Sequence, residues 1–316
     1  MTPAVSVIIP FRGRIPLLRE AVGSVLAQTF RDFELILVND GSDEQVSFLD
    51  EVRDDRIRYI RQPPSGAAAA RNLGIRKATG KYVAFLDSDD LYLPSKLEIQ
   101  LRTMQERPGF VFSHTSYVRM DAAGRDLERI DSGGFAGRVY PGIVTCCEIA
   151  TPTVMVLRDL FENLKFEESV RMGEDIILWV RIARHHEILG IREPLTRIRI
   201  HGNNATLNRE AQLEGRRNVL RFAFREDPSF SPAFRRESYA GLHNSVAEAY
   251  RREGRDLKAL AVLLAGTRYS PTDRTLRNNI SDTLRSAARA AVPVRLRESI
   301  KRLRDVVRGC DGGRNK

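Results

Sequence analysis

Over the first 90 residues short apolar runs alternate with segments of helical periodicity, and this alternation restricts the chain to an α/β fold. Residues 5–10, 33–38 and 82–86 read as strands, and 57–60 as a weaker one. Between them, residues 16–27 carry Leu17, Leu18, Ala21, Val22, Val25 and Leu26 at helical spacing, and a second helix spans 67–77 after the turn Pro63, Pro64, Ser65, Gly66. Strands joined by helical crossovers pair in parallel, with helices on both faces. Two of the strands break at once into acids. Residues 33–38 run into Asn39, Asp40, Gly41, Ser42 and Asp43, and residues 82–86 into Asp87, Ser88, Asp89 and Asp90. Both clusters then fall on the edge made by strand C-termini, where ligands of open α/β sheets bind.

Each cluster has chemistry available to it. Carboxylates spaced Asp-x-Asp can share one hard divalent cation while one of them takes a ribose hydroxyl, although Asp and Ser also serve as plain turn and cap residues. Asp40 can accept a hydrogen bond from a base N–H, and Gly41 gives its turn the freedom it needs. The Ser65–Gly66 loop opens a helix whose free N–H groups and dipole favour an anion such as a diphosphate, to which Arg71 can add charge-assisted bonds. Farther on, Glu174 and Asp175 stand in the first turn of an amphipathic segment, where they either complement the helix dipole or act as bases.

The pieces together resemble family 2 glycosyltransferases of the GT-A fold. The resemblance rests on residues 5–10, Ser24 to Phe30, Val38 to Asp43, Gly66, Ala70, Arg71, Asn72, Gly74, Gly80 to Leu86, Asp87 to Asp90, Pro94 and Lys96, in family order and spacing. It extends over about residues 4–205 and departs at Arg12, Gly13 and Arg14, where the family has Asn after an aromatic residue. It implies a Rossmann-like, mostly parallel sheet flanked by helices, and an inverting, metal-dependent, hexosyltransferase-type enzyme that draws on a nucleotide-sugar, most often a UDP-sugar. The implied donor set is Pro10, Phe11, Asp40, Gly66, Arg71, Asp87, Ser88 and Arg199, with Asp40 on the uracil ring and Asp87 on the ribose side. Asp89 and His201 would hold Mn2+ or Mg2+ on the diphosphate. Asp175 matches the family's acceptor base, with Glu174 as the alternative. The acceptor would be a glycan or lipid-linked hydroxyl in cell-surface polysaccharide synthesis. Two rivals remain: a sugar-nucleotide pyrophosphorylase, whose Gly-rich basic loop residues 11–14 do not reproduce, and a non-catalytic scaffold using the C-terminal helices.

Charge divides the chain. Of the net +10, residues 209–316 carry 24 Lys and Arg against 13 Asp and Glu, so a near-neutral catalytic region at 1–208 is expected to precede a basic helical one at 209–316. Within the latter, Ala247, Tyr250, Gly254, Ala259, Leu263 and Pro271 have the spacing of one tetratricopeptide-like hairpin over about 239–271. Residues 294–308 align Leu296, Ile300, Leu303 and Val307 on one face among cations, a pattern for an anionic membrane surface or for docking on the protein itself. Aromatic residues that would stack bases are missing there, which argues against nucleic acid. Three cysteines give no disulfide framework, and no apolar run approaches membrane-span length. These features point to the cytoplasm, with peripheral attachment to the inner face of its membrane.

Overall fold

Strand and helix alternate as the apolar pattern requires in a computed structural model, which describes residues 2–200 and 208–291. Strands β1 (Val5–Phe11), β2 (Phe33–Asp40), β3 (Ile57–Gln62) and β4 (Tyr82–Phe85) pair in parallel in the order β3-β2-β1-β4. Every residue of β1 and β2 is buried, the condition under which a strand reads as one continuous apolar run. Helices α1 (Ile15–Leu26) and α3 (Ala67–Lys77) are the crossovers, with the short α2 (Phe48–Val52) before β3.

Beyond β4 the sheet is mixed. After β5 (Leu91–Tyr92) and α4 (Lys96–Gln105) come β6 (Phe112–Met120), β7 (Asp126–Ile130), β8 (Met155–Leu157), α5 (Glu174–Ala183) and β9 (Leu189–Arg199). The order continues β4-β8-β6-β9-β5, with β7 paired to β6, and β8 lies antiparallel to both β4 and β6. The turn at Asp121 closes the β6–β7 hairpin, its carboxylate accepting from the N–H groups of Ala123 and Arg125. Trp179 of α5 is fully buried among Phe85 of β4, Phe112 of β6 and Phe166, with ring centroids 5.0–6.3 Å away. This aromatic cluster fixes α5 against the strand that carries Asp87.

The chain separates into two compact units, Met1–Pro228 and Ser229–Lys316. Helix α6 (Arg209–Glu226) belongs to the first, although the basic composition starts there. It packs on α5, where Gly173 and Gly215 meet backbone to backbone and Arg181 pairs with Glu226 at 2.7 Å. Composition registers surface charge and contact registers packing, so the two divisions differ by the length of one helix. In the second unit, α7 (Pro232–Arg252) and α8 (Asp256–Gly266) turn at Gly254, whose φ of 71° suits a residue without Cβ, and α9 (Arg274–Ala291) follows. Residues 294–308 and His201 lie outside the described residues.

Candidate active site

The C-terminal ends of β1, β2 and β4 lie side by side, since Phe11 pairs with Asn39 and Ile8 with Phe85, so the two acid clusters share one edge. Asp40 is 6% exposed and organises the loop that leads into α3. Its Oδ1 accepts from the N–H of Ser65 at 2.7 Å and from Gln62 Nε2 at 2.8 Å, and its Oδ2 accepts from the N–H of Gly66 at 2.9 Å. Three of the carboxylate's roughly four lone-pair positions are thereby used, and one is left for a donor from outside. Gly66 caps α3 at φ 92°, and a Cβ there would point into open space, so the α3 N-terminus can be approached closely.

Arg71, expected on the diphosphate, is instead buried beneath the edge at 6% exposure. Its guanidinium donates to Asp87 Oδ1 at 2.7 Å and to Glu174 Oε1 at 3.0 Å, and it stands 5.4 Å from the Phe166 ring centroid. One cation thus bridges the end of β4 to the start of α5. The Glu174 carboxyl is pushed up to about 7, chiefly by burial and then by the neighbouring Asp175 charge. Asp175 is half-buried, its Oδ1 accepting from the N–H of Ile176 at 2.7 Å and its Oδ2 from the Thr151 hydroxyl at 2.9 Å.

The remaining expected residues divide between site and scaffold. Ser88 is half-buried in the turn after β4, and Asp89, with its side chain 19% exposed, pairs with Arg14 at 3.2 Å. Asp90 is buried and accepts from the Arg199 N–H at 2.8 Å, and burial holds its carboxyl well above the usual range. Arg199, expected at the donor, is 2% exposed, and its guanidinium donates to the carbonyls of Asp89 and Ala122 and to Glu20 Oε2. It ties β9 to the acidic turn rather than facing the edge. Pro10 and Phe11 are buried as well. The Phe11 ring packs against Tyr59 at 6.3 Å because alternate strand positions face opposite ways, so these two form the floor of the edge.

The family model for "Glycosyl transferase family 2" matches residues 6–162, which contain both acid clusters at the strand ends. A relative in Escherichia coli, UDP-Glc:alpha-D-GlcNAc-diphosphoundecaprenol beta-1,3-glucosyltransferase WfaP, is 30% identical over 210 residues, covering 63% of this chain and 78% of its own. The chain belongs to glycosyltransferase family 2. An uncharacterized glycosyltransferase of Rickettsia bellii is 47% identical over 221 residues, 69% of this chain and 32% of the relative. The chain therefore spans about a third of the length of the first curated relatives it matches. Among solved structures, Staphylococcus aureus TarS 1–349 in complex with UDP-GlcNAc superposes with a TM-score of 0.63 at 17% identity over 88% of each chain, a likeness of fold. The architecture is GT-A followed by C-terminal helices.

For a divalent cation, the family 2 edge offers oxygen ligands. Among the described residues no group of three or more His, Cys, Asp or Glu side chains gathers into a cage. Asp89 and Asp87 instead supply carboxylates at the strand end, with side chains 19% and 35% exposed. One or two carboxylates completed by substrate phosphates is the set that Mg2+ uses in phosphate sites, so the residues fit the cation the family implies. Two participants escaped the sequence. Arg14 sits in the loop that departs from the family pattern, and that departure was its signal. The contact of Thr151 with Asp175 is made only by the fold.

Proposed function

We propose that this chain is an inverting, metal-assisted transferase moving a hexose from a UDP-sugar to a hydroxyl of a glycan or lipid-linked acceptor. The observation that carries this reading is the Arg71 bridge, which holds Asp87 and the Glu174–Asp175 turn on either side of one guanidinium. A donor-side carboxylate and a base then flank one space, with no protein nucleophile required. The free lone pair of Asp40 suits the uracil N–H, the open α3 N-terminus at Gly66 suits the diphosphate, and Asp87 suits the ribose hydroxyls. Asp89 would hold Mn2+ or Mg2+, and such a cation, when bound, neutralises charge building on the departing diphosphate. Asp175 takes the proton of the acceptor hydroxyl as that oxygen bonds to the anomeric carbon. The bond from that carbon to the diphosphate oxygen breaks with its electron pair, releasing UDP, and configuration inverts.

The name of WfaP, a UDP-glucose enzyme acting on a diphosphoundecaprenol acceptor, supports the donor base and a lipid-linked acceptor. Membership of family 2 sets aside the pyrophosphorylase, and the presence of Asp40, Asp87, Asp89 and Asp175 together weighs against a scaffold. Titration calorimetry of UDP, GDP, dTDP and ADP, with and without Mn2+, tests the reading. UDP is expected to bind in a metal-dependent way that Asp89→Ala loses, while Asp175→Asn keeps UDP affinity within about twofold and lowers turnover roughly 10²–10⁴-fold. Failure of all four nucleotides to bind a folded sample overturns it.

A further inference from the structure

Asp175 receives a hydrogen bond from a side chain on another element. Thr151 opens the single-turn 3-10 helix Thr151–Thr153, and its hydroxyl lies 2.9 Å from Asp175 Oδ2 with the residue 5% exposed. That turn is fixed from three directions. Gln100 Nε2 of α4 donates to the Thr153 carbonyl at 3.0 Å, Thr196 Oγ1 of β9 to the Pro152 carbonyl at 3.3 Å, and Thr153 Oγ1 to the Ala150 carbonyl at 2.7 Å. A hydroxyl on so constrained a turn has little freedom to point elsewhere. The Ile176 N–H binds the other carboxylate oxygen, so the plane of the carboxylate is set by two donors on two elements.

We propose that Thr151 is a positioning residue for the acceptor base: its hydroxyl holds the Asp175 carboxylate in one orientation and fixes which lone pair faces the acceptor. This rests on the reading of Asp175 as that base. Holding the carboxylate in one orientation avoids reorganisation when the acceptor proton arrives. Thr151 keeps its own proton throughout, and the acceptor proton goes to the lone pair of Asp175 left uncovered.

The test uses the full chain with UDP-glucose and Mn2+, reading UDP release as water takes the acceptor's place, in Thr151→Val, Thr151→Ser, Thr151→Ala and Asp175→Asn. Thr151→Val is expected to lower kcat about tenfold to hundredfold, the worth of a hydrogen bond to a charged group, with the KM for UDP-glucose unchanged within about twofold. Thr151→Ser returns kcat to wild type. Should Thr151→Val not fold, Thr151→Ala against Thr151→Ser isolates the same hydroxyl. Equal losses in the serine variant and in either hydroxyl-free variant, or a loss carried by KM with kcat unchanged, overturn the proposal. An inactive Asp175→Asn beside a Thr151→Val of wild-type rate removes Thr151 alone, whereas wild-type turnover in Asp175→Asn removes the base assignment beneath it.

Discussion

Lys96 is fully buried on α4, its Nζ 4.3 Å from the Tyr92 ring centroid and without a hydrogen-bond partner among the described residues. Burial pulls the amine down to about 7. An unfolded chain keeps that lysine protonated up to about 10.4, so between the two values the unfolded state binds the extra proton and stability rises with pH. The cost is largest at and below neutrality. Lys96→Met keeps most of the methylene packing and removes the buried charge, and replacing an isolated buried charge by an apolar side chain gains about 1–4 kcal/mol. Its melting temperature at pH 7 should exceed wild type by several degrees, with the gap closing as pH approaches 10. A variant that melts below wild type at both pH values would show that the cation–ring contact outweighs desolvation. Lys96 thus contrasts with Arg71, whose burial is offset by Asp87 and Glu174 at 2.7 and 3.0 Å.

The loop between β3 and α3 depends on one glycine outside it. Gly41 has φ 76°, and a Cβ there would lie 2.7 Å from the Pro64 nitrogen, so Gly41→Ala strains its own backbone and pushes the loop off Asp40. We expect a loss of about 1–3 kcal/mol of stability and roughly tenfold weaker UDP binding by calorimetry, since the Ser65 and Gly66 N–H groups move together. Unchanged UDP affinity in a destabilised variant would separate the loop from the nucleotide. The parallel half of the sheet was readable because buried strands are unbroken apolar runs, and its registers put Asp40 and Asp87 on one edge without further information. The strand order of the mixed half was not. Strand β9 carries Arg192, Glu193 and Arg197 within an irregular pattern, and its pairing with β6 spans too much chain for periodicity to encode. Side-chain direction was hidden for a related reason: the resemblance implies Arg199 and Phe11 at the donor, and in a strand neighbouring positions face opposite ways. The Thr151–Asp175 and Arg71–Glu174 contacts depend on how α5 is seated by Trp179, which only packing decides.

Charge is segregated between the two units of the molecule. Residues 229–316 hold 19 Lys and Arg against 9 Asp and Glu, which leaves 32 of each in residues 1–228 and puts the whole net +10 on the second unit. That unit also exposes apolar side chains, Leu257 at 77% and Leu264 at 51%, seven residues apart and hence on one face of α8. No helix among the described residues is long and apolar enough to cross a membrane. Cations near an anionic leaflet contribute about 1 kcal/mol each and lose it to screening, whereas inserted leucines do not. The full chain is therefore expected to sediment with phosphatidylglycerol vesicles at low salt, to be largely released by about 0.5 M NaCl, and to ignore phosphatidylcholine. Leu257→Glu with Leu264→Glu should weaken binding at low salt if α8 inserts. Truncation after Pro293 reports the share of residues 294–316. Equal binding to neutral and anionic vesicles would remove the electrostatic explanation, and retention of binding by the double leucine variant would confine the contact to the charges.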